Sequence, residues 1–189
     1  TYRKNFLLHT HQLDSVLNTQ PKDRSALPPQ YTIPVVVHVI HLGEPVGTGS
    51  NISDAQILDA INGLNERYAN SNGQGTDCEI EFCLATQTPD GCPTNGINRV
   101  DGSGVPDYAN EGIEYNSVCG ADEEAIKELS RWPSLDYYNV WVVHDICGDW
   151  AGYAHFPNGG NLDGTVIGAA FMNGDAKILA HELGHGLNI

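Results

Sequence analysis

The sequence predicts an α/β fold of the α+β kind: a twisted mixed sheet of about five strands, an antiparallel edge strand, backing helices and a closing helix. Three observations predict it. An apolar β-branched run, an amphipathic helix and an alternating run follow one another over 31–86. Further short strand-like runs recur after it, separated by turn-rich stretches. The chain then closes on "HELGHGLNI", an amphipathic helix with two histidines on one face.

The elements can be justified in order. Residues 1–18 are polar with a weak helical pattern (Phe6, Leu7, Leu13, Val16, Leu17), and "TQPKDRSALPPQ" at 19–30 reads as a Pro-rich, charged linker. "YTIPVVVHVIHL" (31–42) is a near-continuous apolar run, as in a strand buried on both faces. "SDAQ" at 53–56 is a capping box, Ser then Gln three residues on, and it opens a helix with Ile57, Ile61, Leu64 and Tyr68 on one face. "CEIEFCLAT" (78–86) alternates like a strand. Strand, crossover helix and strand make a βαβ unit, so those two strands should lie parallel. "TPDGCPTNGINRVDGSGVPD" reads as turns. A second helix is expected over 120–132, with Glu123 and Lys127 in the favourable i,i+4 order. "LDYYNVWVVHD" (135–145) and "GTVIGAAFM" (164–172) are further strands, and "AGYAHFP" (151–157), closed by Pro157, fits an edge strand. "NGDAKILAHELGHGLNI" runs as a helix to the end.

Composition narrows the function. The 189 residues carry 9 Lys and Arg against 24 Asp and Glu, a net charge of −15. A nucleic-acid partner needs basic patches and is disfavoured. No apolar run approaches the ~18 residues of a membrane span. Five cysteines (Cys78, Cys83, Cys92, Cys119, Cys147) without a CxxC pair favour disulfides and an oxidising, extracellular location over a structural zinc site. Their odd number leaves one either as a free thiol or with a partner outside these residues.

The closing helix carries the chemistry. At ~100° per residue, Ala176, Ala180, Leu183 and Leu187 form an apolar stripe that can pack on a sheet. His181 and His185 differ by only ~40° and one turn, so both imidazoles can reach one ion. Glu182 lies ~60° from His185, to the side of that ion. Two neutral imidazoles suit Zn²⁺, and the carboxylate is placed to take a proton from a metal-bound water. A catalytic zinc takes three protein ligands, and this pattern supplies two.

The chain resembles the pappalysin-like (cytophagalysin) zinc metalloproteases, a branch of the metzincins. The resemblance covers roughly 31–189 and rests on "IPVVVHVIH", "ISDAQILDAINGLNERYAN", "EIEFCLAT", "PDGCPTNGINRV", "IKELSRWPSLDYYNVWVV", "AGYAHFP", "DGTVIGAAFM" and "LAHELGHGLNI". It implies a zincin-like catalytic domain, of which 31–189 would be the N-terminal subdomain. It implies a secreted endopeptidase acting on protein or peptide substrates, with Glu182 as general base and His181 and His185 as zinc ligands. The family motif HExxHxxGxxH places its third ligand ten residues after the first, beyond Ile189, in a C-terminal subdomain. Where the motif has Gly, this chain has Asn188. Asn is the residue next most tolerant of the left-handed conformation that ends such a helix. The substrate is expected to lie extended along the edge strand at Gly152, Tyr153, Ala154 and His155. The family also implies an N-terminal pro-segment, and residues 1–30 fit its remnant, against the alternative that 1–18 pack as a helix on the mature domain.

Other polar residues carry weaker signals. His38, His41 and His144 are expected as hydrogen-bonded structural histidines. His155 is expected either against substrate or in solvent. Asp90, Asp101, Asp107 and Asp163 lie in Gly-rich turns; turn chemistry is the plain reading, and the resemblance adds calcium as an alternative. Asn51-Ile52-Ser53 fits a glycosylation sequon. Two function classes stay open. One is a secreted zinc endopeptidase whose remaining ligand comes from the C-terminal remainder of the same protein. The other is a non-catalytic chain, truncated, latent, or carried by secretion machinery.

Overall fold

A computed structural model describes residues 31–189 apart from 72, 74, 75, 117, 118, 149, 158 and 159. The expected pro-segment and linker at 1–30 lie outside the described residues. Among the described residues, six strands form one sheet: β1 (Tyr31–His41), β2 (Ile80–Leu84), β3 (Ile97–Asp101), β4 (Tyr138–Val143), β5 (Gly152–His155) and β6 (Gly164–Gly168). Four helices accompany them: α1 (Asp54–Tyr68), α2 (Tyr108–Glu111), α3 (Glu123–Glu128) and α4 (Lys177–Leu187).

The strand order is β2-β1-β4-β6-β5, with β3 also paired to β1. All pairs are parallel except β5 with β6, which is antiparallel and leaves β5 at the edge. The β1–α1–β2 unit is parallel, as its pattern predicts. Both faces of the sheet are covered, which is why β1 and β4 read as continuous apolar runs. Val35, Val37, Val39, Val140, Val142 and Ile167 face α1 and α4. Ile40, Trp141, Val143, Tyr153 and Val166 face the other layer, with Tyr108, Ile113 and Ile126. No helix among the described residues is long and apolar enough to cross a membrane.

The structure departs from the sequence reading in several places. The strand expected over 164–172 ends at Gly168, where a 3-10 turn over Ala169–Phe171 follows. Strand β3 was not expected. Strand β1 is eleven residues long and outlasts β2: its first half, from Tyr31 to Val35, pairs β2, and Val37 to His41 pairs β3. Arg99 of β3 is held by Asn51 Oδ1 at 2.7 Å, Ile52 O at 2.8 Å and the Asp54 carboxylate. Helix α3 is shorter than 120–132, starting behind an Asp122 side chain that caps Ala125 N at 2.7 Å. Strand β4 starts at Tyr138 because Asp136 N and Tyr137 N fold back onto Pro133 O. Helix α4 starts at Lys177 because Ala176 takes a left-handed conformation, φ +48°, that interrupts the helix before it.

The capping box forms by half. Ser53 Oγ accepts from Gln56 N at 3.2 Å, but the Gln56 side chain donates to Met172 O at 2.8 Å and ties α1 to the segment before α4. Cys119 and Cys147 form a disulfide, while Cys78, Cys83 and Cys92 are free and exposed. Asn51 of the sequon is buried, its amide donating to Glu44 O at 2.7 Å, so it offers no accessible glycosylation site.

Three histidines are hydrogen-bonded within the fold. His144 Nε2 meets Tyr108 O at 3.0 Å, and His41 Nδ1 accepts from Gly43 N at 2.9 Å. His38 is fully buried and stacks on Trp141 at 5.2 Å. Its Nε2 lies 2.9 Å from Asn139 Oδ1, an oxygen that also accepts from Trp132 N. An amide oxygen only accepts, so His38 Nε2 carries a proton, and burial keeps the ring neutral at pH 7. Burial lowers its pKa to about 4, with the Asn139 bond opposing. The folded value lies below the unfolded one, so this neutral ring stabilises the fold above pH ~6.5 and that stability is lost as pH falls toward 4. Denaturant unfolding should lose about 2 kcal/mol between pH 7 and pH 5 in the wild type relative to a His38→Phe variant. Equal pH dependence in the two proteins would contradict the assignment.

Candidate metal and peptide site

Helix α4 lies against β5 and β6, and two glycines permit the close approach. A Cβ at Gly186 would stand 1.8 Å from the Tyr138 hydroxyl, which sits beneath the helix and bonds Thr165 Oγ1 at 2.8 Å. A Cβ at Gly152 would stand 3.2 Å from Glu182 Cγ and 3.4 Å from Ile178 Cγ2. On the helix, Leu179 and Leu183 are fully buried against the sheet. Tyr68 of α1 donates to Ala180 O at 3.2 Å from the far side.

That packing turns His181 and His185 outward together. Their Nε2 atoms are 3.2 Å apart. Two imidazole nitrogens on one tetrahedral zinc, each at ~2.05 Å, stand about 3.3 Å apart, so the pair fits a shared ion. Among the described residues, the one group of three metal-type side chains is Glu111, Cys119 and Cys147, and its two sulfurs are already joined in the disulfide. Asp90, Asp101, Asp107 and Asp163 belong to no such group, and Asp101 is engaged as a turn acceptor from Ser103 N at 2.9 Å. Glu182 is buried between the helix and Gly152. Burial raises its pKa, and the neighbouring His181 and His185 oppose that rise.

Strand β5 presents its free edge beside this group. Gly168 N donates to Ala151 O at 3.0 Å, which fixes the phase of the antiparallel ladder. Hydrogen-bonded pairs alternate along such a ladder. Tyr153 and His155 therefore bond toward β6, and the N–H and C=O of Gly152 and Ala154 point to the open edge. The four residues singled out in the sequence thus divide in two. Gly152 and Ala154 offer main chain to the cleft. Tyr153 and His155 send their side chains to the opposite face, where His155 Nε2 lies 2.9 and 3.0 Å from the two Glu123 oxygens. Phe156, which the sequence reading passed over, sets its ring 5.7 Å from that of His185 and is exposed. Its signal was the Pro157 that ends the strand beside it.

The helix ends as the motif requires. Asn188 has φ +65° and ψ +42°, and Ile189 N bonds Gly184 O at 3.0 Å, closing a left-handed stop. Among the described residues, one surface hollow lies beside Glu44 and His144 and another beside Arg67 and Asp175.

No family model matches the chain, and no curated protein matches it. Solved structures do. A mirolysin bound to a compound is 31% identical, with a TM-score of 0.66, over 84% of this chain and 63% of that one. Tannerella forsythia mature mirolysin, in complex with a cleaved peptide, is 30% identical with a TM-score of 0.62 and the same coverage. A variant of Tannerella forsythia promirolysin is 26% identical with a TM-score of 0.60, over 100% of this chain and 64% of that one. Mirolysin is a metzincin-type zinc metalloprotease. The fold is metzincin-like. Such a fold is that of a peptidase, and this chain spans a little under two thirds of the mirolysin chains it matches.

The left-handed stop can be tested directly. Asn188→Gly should leave denaturant stability unchanged or slightly raised. Asn188→Val should lower it by about 1–2 kcal/mol, the penalty for a side chain forced into that conformation. Equal stability in both variants would show that position 188 is not held there in solution.

Proposed function

We propose that residues 31–189 are the N-terminal subdomain of a secreted zinc endopeptidase of the pappalysin-like branch of the metzincins. The observation that carries this reading is the juxtaposition at α4: two imidazole nitrogens 3.2 Å apart, with Glu182 buried beside them at the open edge of β5. His181 and His185 would hold the ion. A third protein ligand, on the family motif, would come from residues after Ile189. Bound zinc supplies a Lewis acid that makes water nucleophilic near neutral pH.

The chain's own residues do the rest. Gly152 and Ala154 pair with the backbone of an extended peptide, as a strand added to the sheet edge. Glu182 accepts a proton from the attacking water and returns it to the leaving amine. The missing side chain at Gly152 leaves its carboxylate room for both tasks. The disulfide and the net charge of −15 support an extracellular setting.

Residues 1–30 form, on this reading, a pro-segment remnant and linker. The coverage supports it. The match to mature mirolysin covers 84% of the chain, the share that 31–189 makes up, and the match to promirolysin covers 100%. N-terminal sequencing of active enzyme from culture medium should find a start between Lys22 and Tyr31. An active enzyme that retains Thr1 refutes it.

The function is tested in the complete protein with Glu182→Ala. That variant should keep one zinc per chain while hydrolysis of casein falls at least ~100-fold. His185→Ala should lose the zinc. Loss of zinc on Glu182→Ala would make Glu182 a ligand, and retained hydrolysis would remove it from the chemistry.

A further inference from the structure

The strand that offers Gly152 and Ala154 is four residues long and has a neighbour on one side only. Half a ladder holds a short edge strand loosely. The side chains that point away from the cleft supply the rest. Tyr153 is buried, stacks on Tyr115 at 4.5 Å and donates its hydroxyl to Glu114 O at 3.3 Å. His155 rests on the Glu123 carboxylate through both oxygens.

Glu123 is itself held. Lys127, one turn along α3, places Nζ 2.8 Å from Glu123 Oε1. Lys127 is fully buried, its ammonium 4.6 Å from the centre of the Trp141 ring. Nζ also donates to Leu162 O at 2.7 Å. His155 ends β5, and Leu162 stands two residues before β6. One ion pair on α3 therefore grips both ends of the β5–β6 connection. Asp163 adds to the attraction felt by the Lys127 ammonium, and Arg131 opposes it.

The pair is ill explained by stability alone. A buried Lys–Glu pair can often be replaced by apolar side chains at no loss of stability, because desolvation offsets the attraction. What apolar side chains would not do is hold the His155 imidazole and the Leu162 carbonyl to one point on α3.

We propose that Glu123, fixed by Lys127, is a positioning residue for peptide binding: through His155 it sets the place of the open edge of β5, and of Phe156, over His181 and His185. The proposal rests on the peptidase reading. The ligand is an extended polypeptide that pairs with the main chain of Gly152 and Ala154.

The test uses the complete, zinc-loaded protein with dye-quenched casein as substrate. Glu123→Gln, His155→Gln, the two combined, and the apolar pair Glu123→Leu with Lys127→Met are compared with Glu128→Gln. That last change breaks the exposed Glu128–Arg131 pair on the same helix. Circular dichroism and zinc content establish that each protein is folded and loaded. Glu123→Gln and His155→Gln should each raise KM at least fivefold with kcat within twofold. Combined, they should do no more than either alone. The apolar pair should raise KM as much as Glu123→Gln while melting within a few degrees of the wild type. Glu128→Gln should change nothing. His155 is partly exposed, so His155→Gln carries the test even if a substitution at the buried pair prevents folding. Unchanged KM in folded variants overturns the proposal alone, as does a fall in kcat at constant KM. A wild-type protein that holds zinc but neither cleaves casein nor binds it by fluorescence anisotropy overturns the peptidase reading, and this proposal with it.

Discussion

The site depends on how closely α4 can approach the sheet. A helix and a sheet normally keep a full layer of side chains between them. Here the layer is removed at two points, once on the helix at Gly186, above the Tyr138 hydroxyl, and once on the strand at Gly152, below Glu182. Between them, Leu179 and Leu183 anchor the helix in the core shared with α1. The buried face fixes the rotation of α4, and that rotation aims His181 and His185 at one point. It also places Glu182 against the strand rather than in bulk water, where its carboxylate would lose the burial that raises its pKa.

The second constraint is the one antiparallel strand of the sheet. A parallel neighbour is reached through a long crossover that packs a helix on a face of the sheet, whereas an antiparallel one needs only a direct connection. Strand β5 has β6 on one side and its other edge open. Its alternation then divides the work. Side chains at 153 and 155 anchor the strand to the far layer, and main-chain groups at 152 and 154 remain for a partner. An open edge invites unwanted pairing, and this one is kept to four residues.

Much of this was legible in the sequence, for reasons that can be named. Buried strands announce themselves by β-branched runs, so β1 and β4 were readable. The closing helix was readable because its apolar stripe and its two histidines follow the same 3.6-residue period. The left-handed stop at Asn188 followed from the residue type at that place in the motif. Strand β3 was not legible: "INRVD" has two apolar residues within a run of Gly, Pro and Asp, and it forms because β1 has an unpaired second half to offer. Nor was the burial of Lys127 legible. At i,i+4 from Glu123 it reads as a surface pair, and only the arrival of His155 and Leu162 from distant segments shows that it lies inside. The direction of each side chain on β5 was hidden too, because four residues set no phase until β6 supplies it.

On the proposed reading, His181 and His185 form a metal site with nitrogen and oxygen ligands. Zinc-edge X-ray absorption of the complete protein tests it most directly, since three free cysteines, Cys78, Cys83 and Cys92, offer rival sulfur ligands. The expected spectrum has a first shell of nitrogen and oxygen at ~2.0–2.1 Å with the multiple-scattering pattern of imidazole, lost when His181 is changed to Ala. A sulfur shell at ~2.3 Å, or a spectrum unchanged in that variant, would contradict it.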